Sequence, residues 1–282
     1  MSLRGRSGLL IVCAAGVVAA HACGGSPTSP GPPPQPTPNA PPVIESIAVE
    51  RTRIEVDTEI TVIATVRDAE TPVSQLTYEW TASGGTVTGQ GPSVSWRPPA
   101  DAATPADFVI RLTVRERYGT AQAGGQQPEH RVTADSSAIR VHDSPRELGD
   151  MAIRFLSDFA NSSASPDTCV REFSDSCRGK EQERSDIENN RRDYEILSSS
   201  LRLREVTVAG DGLTGDMRVN CAFTSRIKQC HAGIPNCSVG GIESVEGDCL
   251  LTAVYEQSRW WLCESRFAGN LAAMPAFFGT AR

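Results

Sequence analysis

The chain has 282 residues and a formal net charge of −7, from 27 basic and 34 acidic side chains. This balance argues against nucleic-acid binding, which relies on clustered basic side chains that neutralise phosphates. The length fits two small domains better than one large core. The chain has 9 cysteines, an odd number, so they cannot all pair with one another.

The first residues have the layout of a secretory signal peptide. Two arginines precede an apolar run, Leu9 to Ala20, that is too short to span a bilayer comfortably. The run ends in Ala20-His21-Ala22-Cys23, which resembles the lipobox of bacterial lipoproteins, although that family usually has Leu where Ala20 stands. The resemblance implies that residues 1–22 are removed and that Cys23 is acylated. Plain secretion with a free Cys23 is the alternative.

Lipidation at Cys23 would anchor the protein in a membrane of the bacterial cell envelope, either the outer membrane or the periplasmic face. Residues 23–42 are predicted to be a linker, because 9 of the 19 prolines of the chain fall between Gly24 and Pro42. Such a segment cannot bury a core and stays extended, at about 3.1 Å per residue. It is long enough to hold the next domain on the order of 50 Å from the lipid surface.

Residues 43–143 are predicted to form an all-β sandwich. Apolar and polar side chains alternate along several runs, which is the pattern of half-buried strands, and Gly- and Pro-rich turns separate these runs. The clearest runs are Ile60, Val62, Ala64 and Val66, and then Phe108, Ile110, Leu112 and Val114. Short strands at these intervals predict two packed antiparallel sheets.

The same segment resembles the polycystic-kidney-disease (PKD) type of immunoglobulin-like domain. The resemblance rests on Val66-Arg67-Asp68, Leu76-Thr77-Tyr78-Glu79-Trp80, Gly84-Gly85, Val94-Ser95-Trp96, Leu112-Thr113-Val114 and Tyr118-Gly119. It implies a spacer or an adhesive surface. We expect Trp80 to fill the space between the sheets and Trp96 to cover one edge of the core, with sugar binding as the alternative. Asp68 and Glu70 are candidates for a calcium site in a loop.

Residues 144–282 are predicted to be an α+β domain. Ser144-Pro145-Arg146-Glu147 has the features of a helix start with Ser144 at the N-cap, and an apolar stripe with helical spacing follows it. A second short helix is expected through Cys169 and Cys177. A polar third helix, from Lys180 to Tyr194, has Ile187 and Tyr194 as buried residues. Its expected solvated face consists of Glu181, Glu183, Arg184, Glu188, Arg191 and Arg192.

After Ile196 the pattern changes to strands, so helices would pack on one face of a curved antiparallel sheet. A hairpin is expected about Gln257-Ser258. This order resembles the nuclear transport factor 2-like (NTF2-like) fold, a cone shared with ketosteroid isomerases. The resemblance rests on Arg192-Asp193-Tyr194-Glu195-Ile196, Arg218-Val219-Asn220-Cys221-Ala222, Val254-Tyr255-Glu256 and Trp260-Trp261-Leu262-Cys263. The chain as a whole is therefore predicted to be multidomain, an immunoglobulin-like sandwich followed by an α+β domain.

Cone folds often enclose an apolar pocket, and Asp193, Tyr194 and Glu264 are the residues expected to line one here. An isomerase or dehydratase would need a buried carboxylate or histidine that titrates near neutral pH. His231 lies between cysteines in an expected loop and Glu256 beside a turn, and neither belongs to a catalytic set. No nucleophile elbow, zinc-protease motif or phosphate-binding loop occurs in the sequence, and no cofactor or metal is indicated.

The favoured function is therefore non-enzymatic: a surface presented away from the membrane to an envelope protein, a glycan or a small apolar ligand. The alternative is an isomerase- or dehydratase-like enzyme, or a carrier of lipophilic ligands, that uses the pocket of the last domain.

Seven cysteines lie in this last domain, at Cys169, Cys177, Cys221, Cys230, Cys237, Cys249 and Cys263. Because the protein is expected to be exported and its sequence has no Cys-x-x-Cys motif, structural disulfides are favoured over a zinc site. Cys230, Cys237 and Cys249 bracket a Gly-rich loop. There Cys230–Cys249 is slightly favoured over Cys230–Cys237, and Cys237 is the expected free thiol.

Cys169 and Cys177 are eight residues apart, which is about 12 Å along an unbroken helix. That exceeds the Cα separation of roughly 7 Å that a disulfide permits. These two cysteines therefore pair with each other only if the helix breaks between them. Otherwise each has to reach a strand cysteine such as Cys221 or Cys263.

Overall fold

The structure is a computed structural model that describes residues 38–120, 125–230 and 237–269. The expected signal peptide, the expected lipidation site Cys23, most of the expected linker and His231 lie outside these ranges. The chain divides into two units, Met1–Pro38 and Asn39–Arg282, of which the second is described below. Within the described residues, no helix combines the length and the apolar character needed to cross a bilayer.

The first part of the second unit consists of ten strands arranged in three sheets. The strands are β1 (Val43–Val49), β2 (Arg53–Glu55), β3 (Ile60–Arg67), β4 (Thr77–Ala82), β5 (Thr86–Gln90), β6 (Ser93–Arg97), β7 (Ala106–Phe108), β8 (Ile110–Arg117), β9 (Glu129–Asp135) and β10 (Ile139–His142). The strand orders are β1-β3-β6-β5, β4-β8-β9 and β2-β10-β7. The third sheet departs from the two antiparallel sheets expected, because β10 pairs with β2 in parallel.

The alternating side chains of this region form its core, as the sequence predicts. Val62, Leu112 and Val114 are all fully buried. The expectation that Trp96 covers an edge of the core is wrong, because this side chain lies inside the core. Trp96 is fully buried and its indole N–H donates to the carbonyl of Gly84 at 2.9 Å, whereas Trp80 is half-buried at the contact of two apolar clusters.

The second part consists of three helices followed by four strands. They are α1 (Ser144–Ala160), α2 (Pro166–Cys169), α3 (Gly179–Asp193), β11 (Tyr194–Val208), β12 (Thr214–Ile227), β13 (Ile242–Glu256) and β14 (Arg259–Gly269). The strands lie in the order β11-β12-β13-β14, and each neighbouring pair is antiparallel. This is the predicted α+β arrangement, helices first and then an antiparallel sheet.

The apolar stripe of α1 packs against the inner face of this sheet. Its buried members are Leu148, Met151, Ala152, Phe155, Leu156 and Phe159. Phe155 meets Phe173 with ring centroids 5.2 Å apart, and Phe159 meets Phe223 at 5.7 Å, both edge to face. The helix starts one residue away from the expected position: Asp143 is the N-cap, because its carboxylate accepts the backbone N–H of Arg146.

The expected second helix breaks soon after it starts. α2 ends at Cys169, a 3₁₀ turn covers 170–172, and Phe173 then forms a parallel bridge with Leu262 of β14. The backbone N–H of Ser174 donates to the carbonyl of Leu262 at 2.8 Å. The segment 173–177 therefore runs along β14 and covers part of an edge that would otherwise be unpaired.

Three disulfides link the α+β domain, and their partners differ in part from those expected. Cys177 pairs with Cys263, Cys221 with Cys249, and Cys230 with Cys237, at Cα separations of 5.1, 6.1 and 5.8 Å. Cys249 therefore pairs with Cys221 on the neighbouring strand β12, and Cys230 pairs with Cys237, which closes the shorter of the two loops considered. Cys237 is not the free thiol; among the described cysteines that is Cys169, which is buried.

Candidate functional site

The two parts of the structure meet at a joint without a linker. His142 is the last residue of β10 and Ser144 is the first residue of α1, so a single residue separates strand from helix. Both side chains are fully buried. Buried polar groups are costly unless they are hydrogen-bonded, so the partners of these two residues define the joint.

Ser144 connects three elements. Its backbone N–H and its hydroxyl both donate to the carboxylate of Glu55 on β2, at 2.9 and 2.7 Å. The indole N–H of Trp260 on β14 donates to the same hydroxyl at 3.2 Å. The first turn of α1 is therefore tied to a strand of the first part and to the last strand of the second.

His142 makes the matching connection on its own side. Its Nδ1 lies 2.8 Å from a carboxylate oxygen of Glu147 on α1, and its Nε2 lies 2.9 Å from the hydroxyl of Tyr255 on β13. Burial raises the pKa of Glu147, but the contact with His142 and hydrogen bonds from Thr104 and the Asp143 backbone outweigh it, so the net pKa is lowered. Glu147 is thereby kept ionised at the joint.

Arg53 of β2 covers the aromatic side of the joint. Its guanidinium lies 3.9 Å from the ring centroid of Tyr255 and 5.8 Å from that of Trp260. Its Nη2 is 3.8 Å from Glu55, an ion pair too long for a hydrogen bond. The contact between the two parts thus combines hydrogen bonds and cation–π packing.

Two clefts flank this joint. One, of about 580 Å³, lies between the segment around β2 and the β11–β12 turn, and Ser144 forms part of its wall. The other, of about 500 Å³, is lined by Glu147, Arg154 and Trp260 among others. Clefts at the contact of two domains are common binding sites.

The polar side chains of the joint are engaged with one another. The hydroxyl of Ser144 donates to the carboxylate of Glu55, accepts the indole N–H of Trp260 and is closed to solvent. His142 is engaged through both ring nitrogens and is closed to solvent. No sequence pattern predicts this cluster, although Ser144 and Glu147 both belong to the predicted helix start.

The expected pocket residues do not come together. Asp193 and Tyr194 are buried where α3 passes into β11, at one edge strand of the sheet. Burial raises the pKa of Tyr194, as do the nearby carboxylates of Glu243 and Asp193. Glu264 is exposed on β14, the opposite edge strand, so the three residues do not line one site.

The sequence predicts Glu183 on a solvated face, and the structure buries it instead. It is only 6% exposed, and one of its carboxylate oxygens accepts the hydroxyl of Ser265 on β14. Burial raises its pKa to about 7, the hydrogen bond from Ser265 opposes this effect, and Asp186 adds to it. Glu183, Ile187 and Asn190 share one face of the helix, but only Ile187 is apolar, so the sequence pattern does not mark this face as buried.

The calcium candidates have local roles. One carboxylate oxygen of Asp68 accepts the backbone N–H groups of Glu70 and Thr71, at 2.9 and 2.7 Å, which is typical of a turn. Glu70 is exposed. In the described part of the chain, no three acidic, His or Cys side chains are grouped as a metal site would require.

Comparisons with known proteins do not assign this chain to a family. No family model matches it, and no curated protein matches it. Similar solved structures include the intermembrane space region of the chloroplast protein ARC6, with 13% identity, a TM-score of 0.33 and coverage of 45% of this chain and 97% of that one.

Two further structures resemble part of the chain. A variant of Rv3472 of Mycobacterium tuberculosis, described as of unknown function, has 10% identity and a TM-score of 0.34 over 47% of this chain and 81% of its own. An "Ntf2 like protein involved in plasmid conjugation" has 10% identity and a TM-score of 0.24 over 60% and 74%. At these identities and TM-scores the similarity does not identify a function.

Proposed function

We propose that this protein is a lipoprotein of the bacterial cell envelope whose sandwich and α+β domain act as one rigid, non-enzymatic head that binds an envelope protein or a glycan. The observation that carries the proposal is the buried joint, in which Ser144 and His142 connect both parts. A fixed joint keeps the two flanking clefts in a constant shape, so that a partner can be bound without the entropy cost of ordering two domains.

The fold and the cysteines support this proposal. We propose a PKD-type sandwich and an NTF2-like cone for the two parts, on the sequence motifs and on the order of helices and strands. The phenylalanines of α1 and the sheet pack in the buried core of the α+β domain, which favours a surface site over an internal one. Three disulfides suit an oxidising compartment such as the periplasm.

The anchor is tested by mass spectrometry of the mature protein from bacterial membranes. We expect the N-terminal peptide to begin at Cys23 and to carry acyl chains, and Cys23→Ala to move the protein to the soluble fraction. An unmodified Cys23 in membrane-free protein would contradict the anchor without affecting the binding proposal.

Binding is tested by photo-crosslinking in living cells. A photoreactive amino acid replaces Arg154, whose side chain is 51% exposed in the 500 Å³ cleft, or Asp57 in the other cleft. Ile63, 50% exposed on β3 and outside both clefts, is the matched control position. We expect a discrete adduct from a cleft position and none from the control. Equal labelling at all three positions, or none at all, would contradict a cleft partner.

A second candidate function has one observation in its favour. Glu183, with a pKa of about 7, has the titration behaviour that a general acid or base needs, which suits an isomerase- or dehydratase-like activity or a bound lipophilic molecule inside the α+β domain. Native mass spectrometry of the purified protein tests it. A stoichiometric small-molecule adduct lost in Glu183→Gln, but retained in the exposed control Glu181→Gln, would favour this function over the first.

A further inference from the structure

The N-terminal end of α3 is joined to β14 by a covalent link and a hydrogen bond. Cys177, two residues before α3, is disulfide-bonded to Cys263, with Cα atoms 5.1 Å apart. Gly179 begins the helix so close to this strand that an added Cβ would lie 2.2 Å from the carbonyl oxygen of Cys263. One turn further on, the hydroxyl of Ser265 donates to Glu183. The disulfide and the carboxylate therefore act on the same contact.

The carboxylate of Glu183 lies at this contact, and no positive charge among the described residues acts on it. Its Oε1 is buried and has no hydrogen-bond partner among the described residues. Asp186, one turn away on the same helix, is the charged residue that acts on it, and its effect is repulsive. The other charged groups on the elements packed against α3 are Asp167 on α2, Arg171 and Glu172 in the 3₁₀ turn, Glu195, Arg202, Arg204 and Glu205 on β11, and Arg259, Glu264 and Arg266 on β14.

Several of these groups are already paired elsewhere. Asp167 binds Arg184 at 3.0 Å, and Glu172 binds Arg259 at 2.8 Å. None of the influences on Glu183 is a cation. A protonated Glu183 is therefore compatible with the closed contact, whereas an ionised one leaves a buried charge whose cost is relieved when the helix end moves into water.

We propose that the contact between α3 and β14 is a latch that responds to both redox state and pH. With the Cys177–Cys263 disulfide intact, the helix end stays on β14 whatever the charge of Glu183. With the disulfide reduced, the helix end stays closed while Glu183 is protonated and opens when it ionises.

The redox step is an ordinary thiol–disulfide exchange. An external dithiol attacks one sulfur of the Cys177–Cys263 bond, forms a mixed disulfide, and leaves as its own cyclic disulfide. It supplies two electrons and two protons, so that Cys177 and Cys263 end as thiols. Both residues are half-buried, and a small dithiol reaches them more readily than it reaches the buried Cys221–Cys249 pair.

The test is hydrogen exchange of the α3 amides at pH 6 and pH 8, corrected for the intrinsic exchange rate at each pH. Replacing both cysteines, C177S/C263S, removes this disulfide and leaves the other two. With a pKa of about 7 in the closed state and 4.5 in the open state, we expect protection of residues 180–188 to fall about tenfold between the two pH values. In the wild-type protein, protection of the same residues should change less than twofold between the two pH values.

Adding Glu183→Gln to the double variant should abolish this pH dependence, because glutamine cannot ionise. Adding Glu181→Gln, on the exposed side of the same helix, should leave it intact. The proposal is overturned if protection in C177S/C263S does not change between pH 6 and pH 8. It is also overturned if protection falls equally after Glu183→Gln is added. Neither outcome bears on the proposed binding function, which the crosslinking tests separately.

A second measurement covers the case in which C177S/C263S does not fold. The reduction equilibrium of Cys177–Cys263 in a dithiol buffer is followed by alkylation and mass spectrometry in wild type, Glu183→Gln and Glu181→Gln. We expect the ratio of the wild-type to the Glu183→Gln equilibrium constant to rise severalfold from pH 6 to pH 8, with about tenfold as the upper limit. Two quantities serve as references. One is the ratio of the wild-type to the Glu181→Gln equilibrium constant, and the other is the reduction equilibrium of Cys230–Cys237 in the same sample. A constant ratio for Glu183→Gln overturns the latch.

Discussion

Glu55 accepts two hydrogen bonds from Ser144, one from its backbone N–H at 2.9 Å and one from its hydroxyl at 2.7 Å, across 89 residues of sequence. Glu55 belongs to the first part of the structure and Ser144 to the first turn of α1. One carboxylate therefore fixes the direction in which the second part of the structure leaves the first.

Removing the hydroxyl should weaken this joint. In Ser144→Ala, Glu55 loses one donor and the indole N–H of Trp260 loses its acceptor, both in a buried setting. We expect the free energy of unfolding to fall by about 1–3 kcal/mol. Urea denaturation measures this change, and small-angle scattering should report a wider spread of distances between the two parts.

The matched control is Ser157→Ala, on the exposed face of the same helix. That variant removes a hydroxyl without touching the joint, and alanine favours the helix slightly, so we expect a change near zero. A loss in Ser144→Ala no larger than in Ser157→Ala would mean that the Glu55–Ser144 contact contributes nothing to the joint.

Glu147 gives the joint a defined pH dependence. Its pKa is lowered from 4.5 in the folded state, so folding stabilises the ionised form. This stabilisation is complete above the unfolded-state pKa and is lost as pH falls through the lower folded-state pKa. We therefore expect the difference in free energy of unfolding between wild type and Glu147→Gln to be constant near pH 7 and to shrink below about pH 4.5.

Denaturant titrations at pH 7, 5 and 3.5 measure this difference. Asp150→Asn, which removes an exposed carboxylate on the next turn of α1, is the control for the loss of an acidic side chain from this helix. If the difference in free energy of unfolding between wild type and Glu147→Gln does not shrink at low pH, folding does not stabilise the ionised form of Glu147.

The patterns in the sequence predict those features that depend on one segment alone. Val62 on β3 and Val114 on β8 are buried positions that the alternation of apolar and polar residues along each strand predicts. The spacing of Phe155 and Phe159 predicts the buried face of α1. Each pattern follows from the repeat of a single helix or strand. The N-cap is displaced by one residue, from Ser144 to Asp143, which is within the usual uncertainty of a helix end.

The features that escape prediction join distant segments. Whether Cys230 pairs with Cys237 or Cys249 depends on where β12 meets β13, and neither strand specifies that register alone. Glu183 looks like a surface residue because α3 is polar along most of its length, and only the packing of β14 against it makes the position buried. The joint likewise needs Glu55 and Ser144 to meet.

The three disulfides should differ in the stability they provide. Their cysteines are separated by 86 residues for Cys177–Cys263, 28 for Cys221–Cys249 and 7 for Cys230–Cys237. Because a longer closed loop restricts the unfolded chain more, loop entropy predicts contributions of about 5, 4 and 2 kcal/mol in that order.

Pairwise replacement of each bridge by alanine, followed by denaturant unfolding under non-reducing conditions, measures these contributions. Alkylation in denaturant without reductant is the accompanying check on the pairing. Among the described cysteines, only Cys169 should react, and in the native protein its burial should protect it. A reactive Cys237 in the denatured, unreduced chain would contradict the Cys230–Cys237 bridge.

Two glycines that flank β5 allow the cost of a close backbone contact to be separated from the cost of an unusual conformation. Gly85 and Gly91 both have positive φ, +79° and +76°. A Cβ at Gly91 would meet nothing within 4 Å, so Gly91→Ala should cost only the conformational strain, about 1–2 kcal/mol. A Cβ at Gly85 would lie 2.2 Å from the carbonyl oxygen of Arg97.

Gly85→Ala therefore has to displace backbone on β6 as well, and we expect a further loss of about 1–3 kcal/mol. The displaced strand carries Trp96, whose indole N–H donates to the carbonyl of Gly84, so near-ultraviolet circular dichroism should change in Gly85→Ala and not in Gly91→Ala. Equal losses in the two variants would mean that the chain near Arg97 moves aside freely, and that the packing around Trp96 does not depend on the glycine.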